Sequence, residues 1–339
     1  MKKKLKWGII GFGNASEQFV KCLKNNNTHE IEILSSVSKG EFLYKKMKFI
    51  ENISDSYLDV IKSSKVDIVF IGLTNELHYE YSKLALQNNK HVVIEKPACI
   101  NENQFYDLLT IAKKNNLKIF EAIYFRSNPS IDNIFNILKQ NDFFRIKKIF
   151  SEFGNDALGG RKIFGIRLKR PNAKKRLFST KQFGGSIWDL GCYPIAFVNL
   201  FFKNFVGEYL SNIKIVDKKK IIGSTGVDME SELILKQKNI DIKLKSSLIN
   251  NLSNSIKIEF VEGKVEILNL MNFDNDIIIK LNLKNKVLEF KLNNNKNIIE
   301  CFLDKISGTL NHNIENFDFP LVTNFETLEN IKIMNKWRN

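Results

Sequence analysis

A turn of sequence Gly11-Phe12-Gly13-Asn14-Ala15-Ser16 separates a short apolar stretch at residues 6–10 from a helical pattern at 16–24, and no other feature limits the fold as tightly. Glycines between a strand and a helix permit a sharp turn and let the backbone come close to a pyrophosphate. The amide groups at the helix start then face that anion. The alternation continues, with strand patterns at 31–37, 66–73, 91–94 and 118–122 interleaved with helical ones at 57–63, 76–87 and 102–115. Continuous apolar strands such as VDIVFIGL predict a parallel sheet covered on both faces, a doubly wound Rossmann α/β domain.

The pattern changes beyond residue 140. A strand at 146–153 leads into a basic loop at 155–183 and a helix at 187–202. The β-rich runs ESELILKQ, IDIKLKSSLI and SIKIEFVEG follow, and a helix at 327–337 closes the chain. Short alternating strands with Asn/Gly turns predict an α+β domain on a large, mostly antiparallel open sheet with one wet face. A chain of 339 residues with 43% hydrophobic content accommodates two cores. The expected domains are 1–124, binding NAD(P), and 125–339, binding substrate and mediating oligomerisation, with the C-terminal helix free to pack back on the first.

Composition excludes several classes. No apolar run is long enough for a membrane span. Met1-Lys2-Lys3-Lys4 imitates the start of a signal peptide, but the stretch behind it is short and broken by Gly8, Gly11 and Gly13, so it reads as the first strand. The four cysteines are far apart and form no cluster with the four histidines, which argues against a disulfide framework and a metal site and favours a reducing cytoplasm. The net charge of +15 raises the prospect of a nucleic-acid partner, yet the lysines are scattered and no nucleic-acid module is present. Arginine is distributed differently: of seven, six lie between positions 126 and 176.

Three further motifs carry chemistry. Where an acid would hold the ribose 2′-hydroxyl of NAD, the end of the second strand has Ser38 and Lys39. A hydroxyl beside a cation suits the 2′-phosphate of NADP, the preferred cofactor here, although a solvated lysine is the plainer reading and NAD stays open. Glu95-Lys96-Pro97 stands at the carboxyl end of strand HVVI, where open α/β sheets bind ligands. Asp189 and Tyr193 are four residues apart and share a face if helical.

In order and spacing these motifs resemble the glucose–fructose oxidoreductase, inositol dehydrogenase and rhizopine-catabolism (Gfo/Idh/MocA) family. The resemblance rests on GFGNAS, Asn75-Glu76-Leu77-His78, Glu95-Lys96-Pro97, Glu121-Ala122 followed by Arg126 and Pro129, Arg176-Leu177-Phe178 and Asp189-x-Gly-x-Tyr193. It spans most of the chain and looks like the sugar and dihydrodiol dehydrogenase branch, which uses a catalytic Tyr. Departures are Ser16 where Gly or Ala is usual, Asn128 where this branch often has His, and the lengthened basic loop.

The resemblance implies an NAD(P)-dependent oxidoreductase acting on CH–OH groups of a sugar, cyclitol or sugar derivative. Lys96 and Tyr193 would form the catalytic pair, with Asp189 orienting it. Gly11, Phe12, Gly13, Asn14, Ala15, Ser38 and Lys39 would hold the cofactor. Leu73, Thr74, Asn75, His78, Glu95 and Lys96 would line its nicotinamide side, and Arg126 would touch it or frame the pocket. A tyrosine with an ordinary pKa near 10 becomes a usable base once an ammonium within ~4–6 Å favours its ionised form.

Arg167, Arg170, Arg176 and Trp188 are the substrate-side candidates, since forked guanidinium groups suit a phosphate or carboxylate handle. A solvated loop is the competing account of the same basic run. A homo-dimer or homo-tetramer is compatible with a half-exposed sheet. The alternative function is a non-catalytic NADP-binding sensor on the same fold, against which the retained Lys96 and Tyr193 argue.

Overall fold

In a computed structural model, residues 4–37, 47, 49–160, 162–163, 166–270, 275–293, 296–312, 314 and 321–339 are described, without the side chains of 162, 163 and 166. Two compact units emerge, one of Met1–Ser127 with Ile298–Leu328 and the other of Asn128–Asn297 with Glu329–Asn339.

The first unit holds a six-stranded parallel sheet of β1 (Leu5–Ile10), β2 (His29–Ser35), β3 (Ile53–Ser54), β4 (Ile68–Ile71), β5 (His91–Ile94) and β6 (Ile119–Glu121), in the order β3-β2-β1-β4-β5-β6. All four residues of β4 are buried, as expected of a strand covered on both faces. The connecting helices are α1 (Asn14–Lys24), α2 (Tyr57–Lys62), α3 (His78–Gln87) and α4 (Glu102–Lys114). Helix α1 packs by its apolar stripe. Phe19 stacks on Phe70 of β4 at 4.2 Å between ring centres and meets Trp7 of β1 edge-on at 5.1 Å. The strand order reverses between β1 and β4, so the carboxyl ends of these two strands open a crevice, the usual ligand position of such sheets.

The second unit opens with α5 (Ser130–Gln140) and carries an eight-stranded sheet ordered β10-β11-β12-β7-β13-β14-β15-β16. Its strands are β7 (Ile146–Gly154), β10 (Lys214–Ile222), β11 (Asp228–Gln237), β12 (Ile240–Ser247), β13 (Ser255–Phe260), β14 (Gly263–Leu268), β15 (Ile277–Leu283) and β16 (Lys286–Leu292). Every pairing is antiparallel except β7 with β12. Burial alternates along β11, and Leu233 and Leu235 are fully enclosed. On the other face charges pair across strands, Lys243 with Glu232 at 2.9 Å and Lys257 with Glu266 at 3.2 Å.

A one-turn helix, α6 (Ser186–Leu190), and a 15-residue helix, α7 (Cys192–Val206), meet at Gly191, where the sequence pattern predicts one helix. A side chain at Gly191 would stand 2.5 Å from the Ile187 carbonyl oxygen, which explains the small residue at this junction. Within the basic loop, β8 (Lys162–Ile163) and β9 (Ile166–Arg167) form a hairpin. The remaining helices are α8 (Ile298–Asn311) and α9 (Asn324–Arg338). No helix among the described residues is long and apolar enough to cross a membrane.

Candidate active site

The first part of the site lies at the carboxyl edge of the parallel sheet. Gly11 has φ +83°, and a Cβ there would stand 2.5 Å from the Gly72 carbonyl oxygen, so only glycine makes this turn without strain. Gly13 differs, because nothing lies within 4 Å of where its Cβ would be. It is the N-cap of α1, and no side chain caps the helix. A closed turn, an open approach and uncapped helix amides fit the pyrophosphate of a dinucleotide. Phe12 is buried beneath the turn, while Asn14 and Ala15 sit at its rim.

Ser16 departs from the usual small residue, and the structure shows why it is accommodated. Its side chain is fully buried against Gly72, where an added Cβ would lie 2.1 Å from the Ser16 hydroxyl oxygen. The close approach of α1 to the end of β4 therefore depends on a residue without a side chain opposite the serine. Ser38 and Lys39, which bear on the choice of NADP over NAD, lie outside the described residues.

Leu73 and Thr74 follow β4 and lead into a 3-10 turn at Asn75–Leu77, with Asn75 buried. His78 joins two loops, its Nδ1 2.9 Å from the Pro97 carbonyl oxygen and its Nε2 3.1 Å from that of Leu73. Both partners are acceptors. A neutral imidazole donates to one of them at a time and an imidazolium to both. The Lys96–Pro97 peptide bond is cis, and Lys96 and Glu95 are half-buried. Glu95 accepts from the Tyr124 hydroxyl at 3.3 Å.

Glu121, at the end of β6, accepts from the Ala98 amide at 3.1 Å and from the Thr327 hydroxyl at 2.8 Å. Burial, with Glu326 and Glu95 nearby, pushes its carboxyl group up to about 7. Arg126 is fully enclosed, and its guanidinium pairs with the equally buried Glu326.

The second unit holds the other candidates. Asp189, on α6, accepts from Arg176 Nη2 at 2.6 Å. Tyr193, on α7, is partly buried with its ring tilted against Phe153 at 4.5 Å. Asp228 fixes the start of α6, its Oδ2 accepting from the Ser186 hydroxyl and the Ile187 amide, each at 2.7 Å. Gly185, at φ +110°, leaves room for that carboxylate, since a Cβ there would stand 2.4 Å from Asp228 Oδ1.

Arg167 is committed to protein partners. Nη1 donates to both Asp156 oxygens at 2.8 and 2.9 Å and to the Gly159 carbonyl, and Nη2 to the Ile249 carbonyl. Arg170 is exposed. Trp188 is fully buried, with its ring 6.2 Å from Phe183 and the Arg338 guanidinium 6.0 Å from its centre.

Glu121, Thr327, Glu326 and Asp228 carry no sequence signal of a role in the site. Glu121 belongs to a quoted motif, but its partner Thr327 is 206 residues away.

The fold and the cradle at Gly11 and Gly13 define a dinucleotide-binding α/β protein. Residues 5–123, about a third of the chain, match the family model described as "Oxidoreductase family, NAD-binding Rossmann fold" (GFO_IDH_MocA). Among curated relatives, a trans-1,2-dihydrobenzene-1,2-diol dehydrogenase of Xenopus tropicalis is 28% identical over 268 residues, covering 77% of this chain and 74% of that one. The Homo sapiens enzyme of the same name is 24% identical over 282 residues, covering 81% and 78%. Among solved structures, the 3-ketoreductase KijD10 of Actinomadura kijaniata, in complex with NADP and TDP-benzene, aligns with a TM-score of 0.83 at 16% identity over 99% of this chain and 97% of that one. An aldose–aldose oxidoreductase of Caulobacter crescentus aligns with a TM-score of 0.80 at 17% identity over 99% and 96%.

Proposed function

We propose that the protein transfers a hydride between NADP and a carbinol or carbonyl carbon of a sugar, cyclitol or sugar derivative, with Tyr193 as general acid/base and Lys96 as its electrostatic partner. The observation that carries this reading is the bridge made by His78. It ties Leu73, beside the Gly11 turn, to Pro97, the residue after Lys96, and this supports reading Lys96 as a group at the edge of the dinucleotide cradle.

When bound, the nicotinamide supplies or accepts the hydride. The residues manage the proton and the charge. Hydride leaves a carbinol carbon readily only as its hydroxyl loses a proton, and Tyr193 takes that proton and returns it in the reverse direction. The Lys96 ammonium favours the ionised phenol and stabilises negative charge on the reacting oxygen. Asp189, fixed by Arg176, orients substrate beside Tyr193. NADP is preferred to NAD on Ser38 and Lys39.

The curated relatives act, by name, on a dihydrodiol, and solved neighbours include an aldose–aldose oxidoreductase and a UDP-N-acetylglucosamine 3-dehydrogenase. A vicinal diol within a ring is common to these substrates. An anionic handle on such a ring falls to Arg170, because Arg167 and Arg176 already hold protein carboxylates. The protein is read as a cytoplasmic homo-dimer or homo-tetramer, with light scattering as the check on assembly.

The test is reduction of NADP and NAD by the purified protein with trans-1,2-dihydrobenzene-1,2-diol, glucose, xylose, myo-inositol and UDP-N-acetylglucosamine. Turnover of one or more of these supports the reading. Tight NADP binding without turnover of any would favour the sensor alternative.

A further inference from the structure

The loop that carries Lys96 is held at two points, by His78 and by Glu121. Leaving β5, the backbone is still in the sheet at Ile94, whose carbonyl accepts from Ala122 at 2.9 Å, and at Glu95, whose amide donates to Ile71 at 3.1 Å. The chain then departs through Lys96 and Pro97. His78 holds the Pro97 carbonyl from one side. From the other side Glu121, which sits opposite Ile94 in the β5–β6 register, receives the Ala98 amide. The second oxygen of the same carboxyl group receives the Thr327 hydroxyl at the start of α9. One buried side chain thus links the Lys96 loop, β6 and α9.

We infer that Glu121 is a positioning residue for Lys96: by holding the Ala98 amide against β6 and α9 it sets where the ammonium stands. The inference rests on the role proposed for Lys96. Misplacing a reacting group by about 1 Å can cost ~10²-fold in rate, so an anchor two residues away is worth a measurable factor.

The groups around Glu121 give the anchor a second signature. Glu95 faces it from the end of β5, Cys99 from the loop after Pro97, and Glu326 from α9. Arg126 neutralises Glu326, and Tyr124 donates to Glu95. Within this partly balanced set of carboxyl groups, the burial that pushes Glu121 up to about 7 makes it ionise across the neutral range. Ionisation strengthens both accepted hydrogen bonds and sharpens repulsion from Glu95 and Glu326. The placement of Lys96 therefore changes with pH through that group.

The experiment compares Glu121→Ala, Glu121→Gln and Thr327→Val. Three readouts are needed: kcat and KM on trans-1,2-dihydrobenzene-1,2-diol with NADP from pH 5.5 to 9, NADPH affinity by fluorescence, and competitive labelling of Lys96 by acetic anhydride, quantified by mass spectrometry against Lys113. In Glu121→Ala the expected outcome is a kcat lower by about tenfold or more, NADPH affinity within about twofold, and Lys96 labelling changed by at least about threefold. Glu121→Gln restores kcat to within about threefold and abolishes the step near neutral pH in the labelling profile. Thr327→Val, which replaces the hydroxyl that donates to Glu121 with a methyl group, gives a smaller change in the same direction and keeps the test decisive if Glu121→Ala does not fold. Unchanged Lys96 labelling and kcat in the folded variants, with only a lower melting temperature, would overturn the inference. Full turnover in Lys96→Ala would instead defeat the proposed role of Lys96, while the labelling readout would still report on the anchor.

Discussion

Arg126 and Glu326, 200 residues apart in the chain, form an ion pair that no solvent reaches. The pair ties the 3-10 turn after β6 to the start of α9. Burial pushes the Glu326 carboxyl up, and the Arg126 charge pulls it back down. Removing one partner strands the other in the interior, so Arg126→Met should cost about 3–5 kcal/mol, whereas Arg126→Met/Glu326→Leu together should recover most of that loss. Urea unfolding of the three proteins measures this. NADPH affinity of the folded double variant then decides whether Arg126 also touches cofactor: little change leaves it a structural residue, and a large loss gives it the contact that the family resemblance implies.

The parallel sheet, its helices and the antiparallel second sheet were legible because each rests on a local period, and periods report which residues are buried. The amphipathic repeats of α5 and α8, Ile131, Ile134, Phe135 and Leu138 in one and Ile299, Phe302, Leu303 and Ile306 in the other, lie in stretches to which no element is assigned from sequence. What no period reports is which residue lies opposite another. Glu121 meets Thr327, and Asp228 meets Ser186, through long-range packing alone. For the same reason the arginines of the basic loop looked alike in sequence, though one is locked in a carboxylate–carbonyl cage and another is exposed.

Gly11 is the least replaceable residue of the cofactor cradle. Its positive φ and the nearby Gly72 oxygen mean that Gly11→Ala should destabilise the first unit by about 1–3 kcal/mol. It should also weaken NADPH binding by at least about tenfold through displacement of the turn. Gly13→Ala faces open space, so its stability should be nearly unchanged while its NADPH affinity falls. Thermal melting with and without NADPH separates the two effects.

Tyr193→Phe keeps the ring that packs on Phe153 and removes only the hydroxyl. Turnover should fall by ~10²–10⁴-fold, as for loss of a general acid/base, with NADPH affinity unchanged. Stopped-flow measurement of NADPH formation or consumption checks this, and turnover near that of the parent would remove Tyr193 from the mechanism.

Arg167 and Arg170 should behave differently despite their proximity in sequence. Arg167→Ala removes the guanidinium from Asp156 and from the Gly159 and Ile249 carbonyls and should lower stability, with equal effects on neutral and anionic substrates. Arg170→Ala should leave melting unchanged and reduce kcat/KM on UDP-N-acetylglucosamine more than on xylose. Equal small effects of Arg170→Ala on both substrates would remove it from recognition of an anionic handle.

His29 supplies a pH dependence opposite in sign to that of Glu121. Its Nδ1 accepts from the Trp7 indole at 2.9 Å, so the neutral ring carries its proton on Nε2, 3.1 Å from the Ser307 hydroxyl. Burial lowers its pKa from 6.5 to about 4, and nearby Asp304 only partly offsets this. A depressed histidine contributes stability that is complete above pH 6.5 and lost as pH falls toward 4, because the unfolded chain takes up the proton first. Glu121, raised from 4.5 to about 7, contributes stability that is complete below pH 4.5 and lost as pH rises through 7. Since a tenfold change in proton affinity between the folded and unfolded chain is worth about 1.4 kcal/mol, each contribution amounts to a few kcal/mol at most. Between pH 4.5 and 6.5 the two slopes oppose one another. Replacing one group should therefore expose the other. His29→Gln should make the first unit less stable as pH rises over that window, and Glu121→Gln should make it less stable as pH falls. Hydrogen exchange of the β1 amides reads this unit directly, and parallel profiles for the two variants would refute the assignment of opposite signs.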